Sequence, residues 1–506
     1  MKLTAAAMIR RPGWALAFVA LAIHLYASGG YGYFRDELYF IVCGERLDWG
    51  YVDQPPLVPL IAWLMHSWFP GSLVMLRLVP ALAHAGLIVL TAETARLLGG
   101  GRWAQALAGL SVLVGGVYLA QGTLLITDVF QPLTWLFCGY ALIRLVRRGD
   151  ERWWLAVGVV AGIAMQSKYM IAFWLAALGA GVLLTPERRL LLRPKLYVGA
   201  TIAGIIILPN VLWQAAHDWP FLEIGRVAAT SKNVALSPVG FVGAEIDTLN
   251  PVTAFVWLTG LAAFAFWRRF ADLRCFAIGF VVLMAAMIAM HAKPYYPVGA
   301  YPLLFAGGAV ALEAWVGQFA LRAALTAVIA VMGVVAAPFA LPILPVERFA
   351  SYQSFLGLTP KSLENSPIGR LPQHFADMFG WRELAALVGK AYQSLPAAER
   401  SKAVFFANNY GEAAAIDVFG APWHVPPSIS SHNSYYLWGA HGHDGSVVIR
   451  LGGTREALLK TYGSVEPAGV FDSPWAMPYE TGRTVWICRG RKAPLDTAWP
   501  GLRNYS

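Results

Sequence analysis

The chain has 506 residues, 57% of them hydrophobic and only 13% charged, with 39 Lys and Arg against 29 Asp and Glu for a formal net charge of +10. Soluble domains carry roughly 25% charged residues, and a water-soluble globule of this composition would expose large apolar patches. An ordinary soluble enzyme is excluded; the composition describes a polytopic α-helical membrane protein.

In chain order, apolar stretches that are long enough to span a bilayer, or nearly so, fall at 12–29, 76–98, 104–121, 126–146, 154–184, 196–213, 252–267, 275–291, 297–316 and 322–343. The first has a basic start and ends near Ala27-Ser28-Gly29, as a cleaved signal peptide would, but its 18 apolar residues are too many for the usual apolar core, so it is expected to be retained. The fifth is 31 residues long and is interrupted by Gln166-Ser167-Lys168-Tyr169. Read as a tight hairpin, it gives about eleven spans. Then 17 basic residues, Lys2, Arg10, Arg11, Arg144, Arg147, Arg188 and Arg268 among them, collect on one side, against seven on the other as far as residue 343. The positive-inside rule puts the N-terminus in the cytoplasm and the C-terminus outside. The net charge is therefore a topology signal, and nucleic acid is not expected as a partner.

Two stretches, 30–75 and 214–251, are expected as long outer loops of a transmembrane domain covering 1–343. Residues 344–506 are expected as a C-terminal extracytoplasmic α/β domain. Its patterning predicts helices at 381–394 and 411–419 and strands at 403–407, 446–451 and 484–489. The four cysteines, Cys43, Cys138, Cys275 and Cys488, are scattered and give no metal or disulfide pattern.

Three groups of residues carry chemistry. In the first outer loop, Asp36 and Glu37 follow Arg35 among aromatic residues. A carboxylate near the bilayer surface is costly unless it is paired or functional; placed there it deprotonates a hydroxyl or helps to hold a divalent cation. The plainer reading is a pair of solvated loop acids, one of them paired with Arg35. In the second group, Asp128, Lys168 and Lys293 sit at the outer ends of spans, Lys293 opening Lys-Pro-Tyr295-Tyr296-Pro. The lysines fit an anionic head group such as a phosphate, or they snorkel to the surface. In the third, Asn409-Tyr410 and His432-Asn433, with Trp438, offer amide, imidazole and aromatic groups suited to a glycan, and equally suited to turns and core.

Arg35-Asp-Glu-Leu-Tyr-Phe40, Gly50-Tyr-Val-Asp-Gln-Pro-Pro-Leu57 and Leu76-Arg-Leu-Val-Pro-Ala-Leu-Ala-His-Ala85 closely resemble the bacterial protein-mannosyltransferase/aminoarabinose-transferase-like membrane glycosyltransferases of GT-C fold. The resemblance continues through Thr127-Asp-Val-Phe, Gln166-Ser-Lys-Tyr-Met170 and Lys293-Pro-Tyr-Tyr-Pro297, over nearly the whole chain. It implies inverting transfer of a sugar from a polyprenyl-phosphate donor to an envelope acceptor (lipid A, another glycolipid, polysaccharide or protein), at the outer face of the bacterial inner membrane. By the same resemblance Asp36 is the base or acceptor-orienting carboxylate and Glu37 supports it. Asp53 and Asp128 assist the acceptor or a metal, and Lys168, Lys293, Tyr295 and Tyr296 hold the donor phosphate. A divalent cation, magnesium or manganese, is entertained near Asp36 and Asp53. Gln54 stands where the aminoarabinose transferases carry Lys, which argues against an aminoarabinose donor. The alternatives are a transporter or flippase of a polyprenyl-linked or other anionic substrate, which one-sided charges and the lack of a half-repeat disfavour, and a glycan-binding envelope scaffold.

Overall fold

The computed structural model describes residues 11–362 and 364–506. Lys2 and Arg10, on which part of the expected charge asymmetry rests, lie outside them. Contacts divide the chain into two compact units. One comprises 1–30, 72–213 and 233–345; the other comprises 31–71, 214–232 and 346–506.

The first unit is helical. Helices occupy every stretch read as a span: Pro12–Ala27, Leu78–Leu97, Arg102–Leu113 with Gly116–Thr123, Gln131–Arg148, Arg152–Met165, Ile171–Leu183, Pro194–Ala216, Ala254–Phe266, Cys275–Ala289, Tyr301–Trp315 and Phe319–Ala336. The 154–184 stretch is two helices joined at 166–170, so the predicted break at Gln166-Ser167-Lys168-Tyr169 is real. Among the described residues, four helices are long and apolar enough to cross a membrane, or up to six if each of two bent pairs is one span, with five shorter apolar helices besides. Arg152–Met165, with 14 residues, is only about 21 Å long at 1.5 Å per residue, against a hydrocarbon core of about 30 Å.

The stretch 214–251, expected as an outer loop, contains the helices Pro220–Val227 and Pro238–Leu249. Pro238–Leu249 buries Phe241, Glu245 and Leu249, and it meets the next helix at a 102° bend. Asn250, at φ +88°, and Pro251 make the break, since proline cannot continue the ladder and restricts the residue before it.

Helices pack at backbone distance where glycine permits. A Cβ on Gly308 would lie 1.9 Å from the Val256 carbonyl oxygen, and one on Gly260 would lie 2.0 Å from that of Leu304. Small residues at such crossings let helices associate without a hydrophobic driving force.

In the second unit the stretch 30–75, expected as an outer loop, likewise contains helices, Arg35–Glu45 and Leu57–Trp68. Asp36 and Glu37 lie in the first turn of Arg35–Glu45, where carboxylates complement the helix dipole, and Leu38 to Gly44 are buried.

The C-terminal part carries a five-stranded sheet of β1 (Ala403–Ala407), β2 (Ile429–Ser430), β3 (Val447–Leu451), β4 (Tyr462–Phe471) and β5 (Arg483–Arg491), in the order β2-β1-β3-β5-β4. β1 is parallel to both its neighbours, and its unbroken apolar run is buried throughout. β3, β5 and β4 are antiparallel. Helices Trp381–Gln393 and Tyr410–Phe419 match expectation. β4 was not predicted: it is an edge strand broken by a register shift between Pro467 and Gly469, and its Gly and Pro hide any alternation.

Gly308→Leu is expected to lower the thermal midpoint in detergent by the equivalent of about 1–3 kcal/mol or more. Gly179→Leu, whose Cβ meets nothing within 4 Å, should leave it unchanged. Equal midpoints for both would show that the crossing is not close-packed.

Candidate active site

The helix Arg35–Glu45 presents Asp36 and Tyr39, three residues apart, on neighbouring faces. The Asp36 carboxylate accepts a hydrogen bond from the Tyr410 hydroxyl at 2.8 Å and lies 3.7 Å from Arg35 Nε, with its side chain 30% exposed. Asp53 accepts from the Tyr39 hydroxyl at 3.0 Å on one oxygen and from Asn433 Nδ2 at 3.1 Å on the other. The Tyr39 hydroxyl in turn accepts the Ser434 amide at 3.2 Å. The rings of Tyr39 and Tyr410 pack at 4.6 Å, and Tyr410 stacks on His432 at 5.1 Å. Two groups that are far apart in sequence, Asp36 with Asp53 and Tyr410 with His432 and Asn433, therefore meet in one unit. Trp438 joins them through Tyr39 and Tyr435, with the Arg46 guanidinium 4.4 Å above its ring.

Several expected roles are corrected. Asp36 and Glu37 are not loop acids. Glu37 is fully buried and accepts the Phe34 amide at 2.9 Å, capping its own helix. Asn409 caps Tyr410–Phe419 by accepting the Glu412 amide at 2.9 Å, and donates to Glu412 and Glu480, so its amide is spent on structure and not on a glycan. His432 and Asn433 are 7% and 1% exposed, which places them behind the carboxylates and not on a glycan-binding surface. Asp128 is paired: both its oxygens accept from Lys168 Nζ at 2.7 Å. A lysine among apolar helices needs such a counterion.

In the first unit Lys168 Nζ lies 4.5 Å from the centre of the Tyr296 ring and Lys293 Nζ 5.8 Å from that of Tyr295, and the two rings pack edge to face at 5.1 Å. The four residues expected to hold a phosphate are thus together. Gln54 is buried, with its Nε2 3.7 Å from Cys43 Sγ, a place suited to a neutral amide.

The donor set does not fit a resident divalent cation. Asp36 and Asp53 already accept from two hydroxyls and an amide, and no group of three His, Cys, Asp or Glu side chains occurs among the described residues. Such a cation usually takes several oxygen ligands.

Sequence reasoning missed the support around Asp36. Arg35 donates to the Tyr479 hydroxyl at 3.2 Å and lies 3.9 Å from Asp377, and a Cβ on Gly411 would sit 2.4 Å from Arg35 Cγ. Only the Gly in Asn-Asn-Tyr-Gly-Glu hinted at such a close approach.

Burial dominates the titrations. It pushes Asp53 up to about 6, against the bonds from Tyr39 and Asn433, and it pushes Asp377 and Asp417 up to about 6 as well. Tyr39 and Tyr410 are raised well above their ordinary value and stay protonated as donors. His432 is lowered to about 3 by burial and is neutral. Its Nδ1 accepts the Tyr410 amide at 3.2 Å, so its proton is on Nε2.

Because Asp53, Asp377 and Asp417 hold their protons more tightly folded than unfolded, their stabilisation is complete below about pH 4 and is lost as pH rises through about 6. Each contributes on the order of 1–3 kcal/mol. Unfolding followed by tryptophan fluorescence should show wild-type stability falling across this window and Asp53→Asn falling less steeply. Parallel curves would contradict the assignment.

Residues 53–213 match the family model for dolichyl-phosphate-mannose-protein mannosyltransferase. The lipid A galacturonosyltransferase RgtD of Rhizobium johnstonii is 24% identical over 233 residues, which is 45% of this chain and 48% of that protein. The chain thus spans about half the length of this curated relative. The structure of ArnT from Cupriavidus metallidurans bound to undecaprenyl phosphate superposes on 96% of this chain and 98% of its own, with 15% identity and a TM-score of 0.63. Its apo form matches 94% and 98%, with 16% identity and a TM-score of 0.58. At these identities the structural likeness shows a common fold. Together, the matched segment and the superposition show a chain that is similar over residues 53–213 to the dolichyl-phosphate-mannose-protein mannosyltransferase family and that shares the fold of ArnT.

Proposed function

We propose that the protein is an inverting glycosyltransferase that moves a sugar from a polyprenyl-phosphate donor to a hydroxyl of an envelope acceptor at the outer face of the bacterial inner membrane. The observation that carries this reading is the meeting of Asp36 and Asp53 with the neutral donors Tyr410, Tyr39 and Asn433 in one site. It is supported by relatives named as a lipid A galacturonosyltransferase and as ArnT bound to undecaprenyl phosphate. The reading includes a cytoplasmic N-terminus and an extracytoplasmic C-terminal domain.

The acceptor oxygen attacks the anomeric carbon from the side opposite the phosphate. The carbon–oxygen bond to the phosphate breaks, and the polyprenyl phosphate leaves with the electron pair. The acceptor proton passes to Asp36. Tyr410 holds Oδ1 of that carboxylate, and Oδ2 has no hydrogen-bond partner among the described residues. Asp53, ionised, accepts a hydrogen bond that orients the acceptor. Lys168 and Lys293, on the rings of Tyr296 and Tyr295, are assigned to the donor phosphate. The leaving group is already good, so positioning and electrostatics supply most of the acceleration.

Asp36→Asn should keep the fold and lower transfer from a polyprenyl-phosphate sugar by roughly 10²–10⁴ in detergent, the usual contribution of a general base. Wild-type transfer should rise with pH through about 6 as Asp53 ionises. An undiminished rate in Asp36→Asn removes Asp36 from the mechanism.

A further inference from the structure

Residues 503–506 pack directly behind the two carboxylates. Asn504 forms a parallel bridge with His432: its amide donates to the Ser431 carbonyl at 3.0 Å, and its own carbonyl accepts the Asn433 amide at 3.0 Å. Tyr505 is buried, its ring 5.9 Å from that of Tyr436, and Arg503 pairs with Glu223 at 3.3 Å. These contacts fix Ser506, which faces two adjacent side chains. Its amide donates to Asn433 Oδ1 at 3.2 Å, while its backbone oxygen and hydroxyl accept from His432 Nε2 at 3.1 and 2.9 Å.

Each contact sets an orientation. A backbone N–H can only donate, so the atom of Asn433 facing Ser506 is the oxygen, and the amide nitrogen must point to Asp53. A neutral His432 donating from Nε2 must accept at Nδ1, and it accepts the amide of Tyr410, the residue whose hydroxyl holds Asp36. Asn433 sits at φ +49°, a conformation that persists only where its surroundings over-determine it. The bonds from Asn504 and Ser506 supply that determination.

We infer that Ser506, anchored by Asn504 and Tyr505, is a positioning residue for both carboxylates, acting on Asp53 through Asn433 and on Asp36 through His432 and Tyr410. The inference rests on the transferase reading for its catalytic consequence, but its structural content stands apart from that reading.

Two variants test it: deletion of 504–506, and Ser506→Pro, which removes the amide donor and the hydroxyl and keeps the backbone oxygen for His432. Hydrogen exchange by mass spectrometry is read without substrate, together with transfer across pH. In both variants, exchange should rise in peptides covering 431–436 while peptides from 78–97 stay unchanged. The deletion should also raise exchange over 408–412. Transfer should fall about tenfold in kcat, and its acidic limb should move to higher pH, because Asp53 loses a donor that favours its ionised form. Unchanged exchange in both variants overturns the inference even if the wild type is fully active. So does raised exchange with unaltered rate and pH profile. A wild type that transfers no sugar from any polyprenyl phosphate overturns the reading of function instead, and exchange alone then decides whether Ser506 orders the two side chains.

Discussion

The hydroxyl of Tyr410 on the carboxylate of Asp36 is the contact around which the polar unit is arranged. It joins residues 374 positions apart. The entropic cost of closing so long a loop grows only logarithmically with its length, and stacked aromatic burial offsets it. Tyr410 lies between the rings of Tyr39 and His432, with the Arg35 guanidinium 5.2 Å from its ring centre. Gly411 follows at once because Arg35 leaves no room for a Cβ there. The helix that begins at Tyr410 is thus placed by the helix that begins at Arg35, and the sheet behind follows from their packing.

The donors around these acids are mostly neutral. Tyrosine hydroxyls and an asparagine amide stabilise a carboxylate without cancelling its charge, so burial still raises Asp53 to about 6. A lysine in their place would have pulled that value down and left a weaker base. Deeper in, Glu412 and Glu480 share the Asn409 amide at 3.3 and 3.0 Å, and burial, followed by the proximity of Glu412, pushes Glu480 up to about 8. Burial raises Glu412 as well, and the Arg483 guanidinium lies 3.6 Å from it. Buried acids of this kind are tolerated because they hold a proton.

The apolar helices were legible because apolar runs bounded by charge and proline leave few alternatives, and β1 was legible because Ala403–Ala407 is uniformly apolar. The helix Arg35–Glu45 was not legible, since its charged first turn reads as a loop until the buried face from Leu38 onward is set against a partner. β4 failed for the opposite reason, its pairing with β5 overriding an unfavourable composition. For the site, residue types announced Asp36, Lys168 and Lys293 as important. The partners that decide what each acid does were invisible, because Glu37 caps and Asp128 neutralises only once three-dimensional neighbours exist. No spacing rule relates residue 53 to residue 433.

The pairing of Asp128 with Lys168 bears on the charge that the donor would meet. Two ammonium groups, Lys168 and Lys293, against the one Asp128 carboxylate leave a single net positive charge among these residues. A sugar-linked polyprenyl phosphate is a phosphodiester with one negative charge, so in the proposed reaction the donor is matched and not overbound. Bond breaking turns it into a monoester that gains charge as the sugar departs. A group of fixed cations whose first positive charge is already compensated then gains most from charge that develops on the leaving oxygen, and an interaction stronger in the transition state than in the ground state is the kind that raises kcat. Were Asp128 absent, both lysines would act on the resting donor, and the added attraction would tighten binding in the ground state as well as at the barrier.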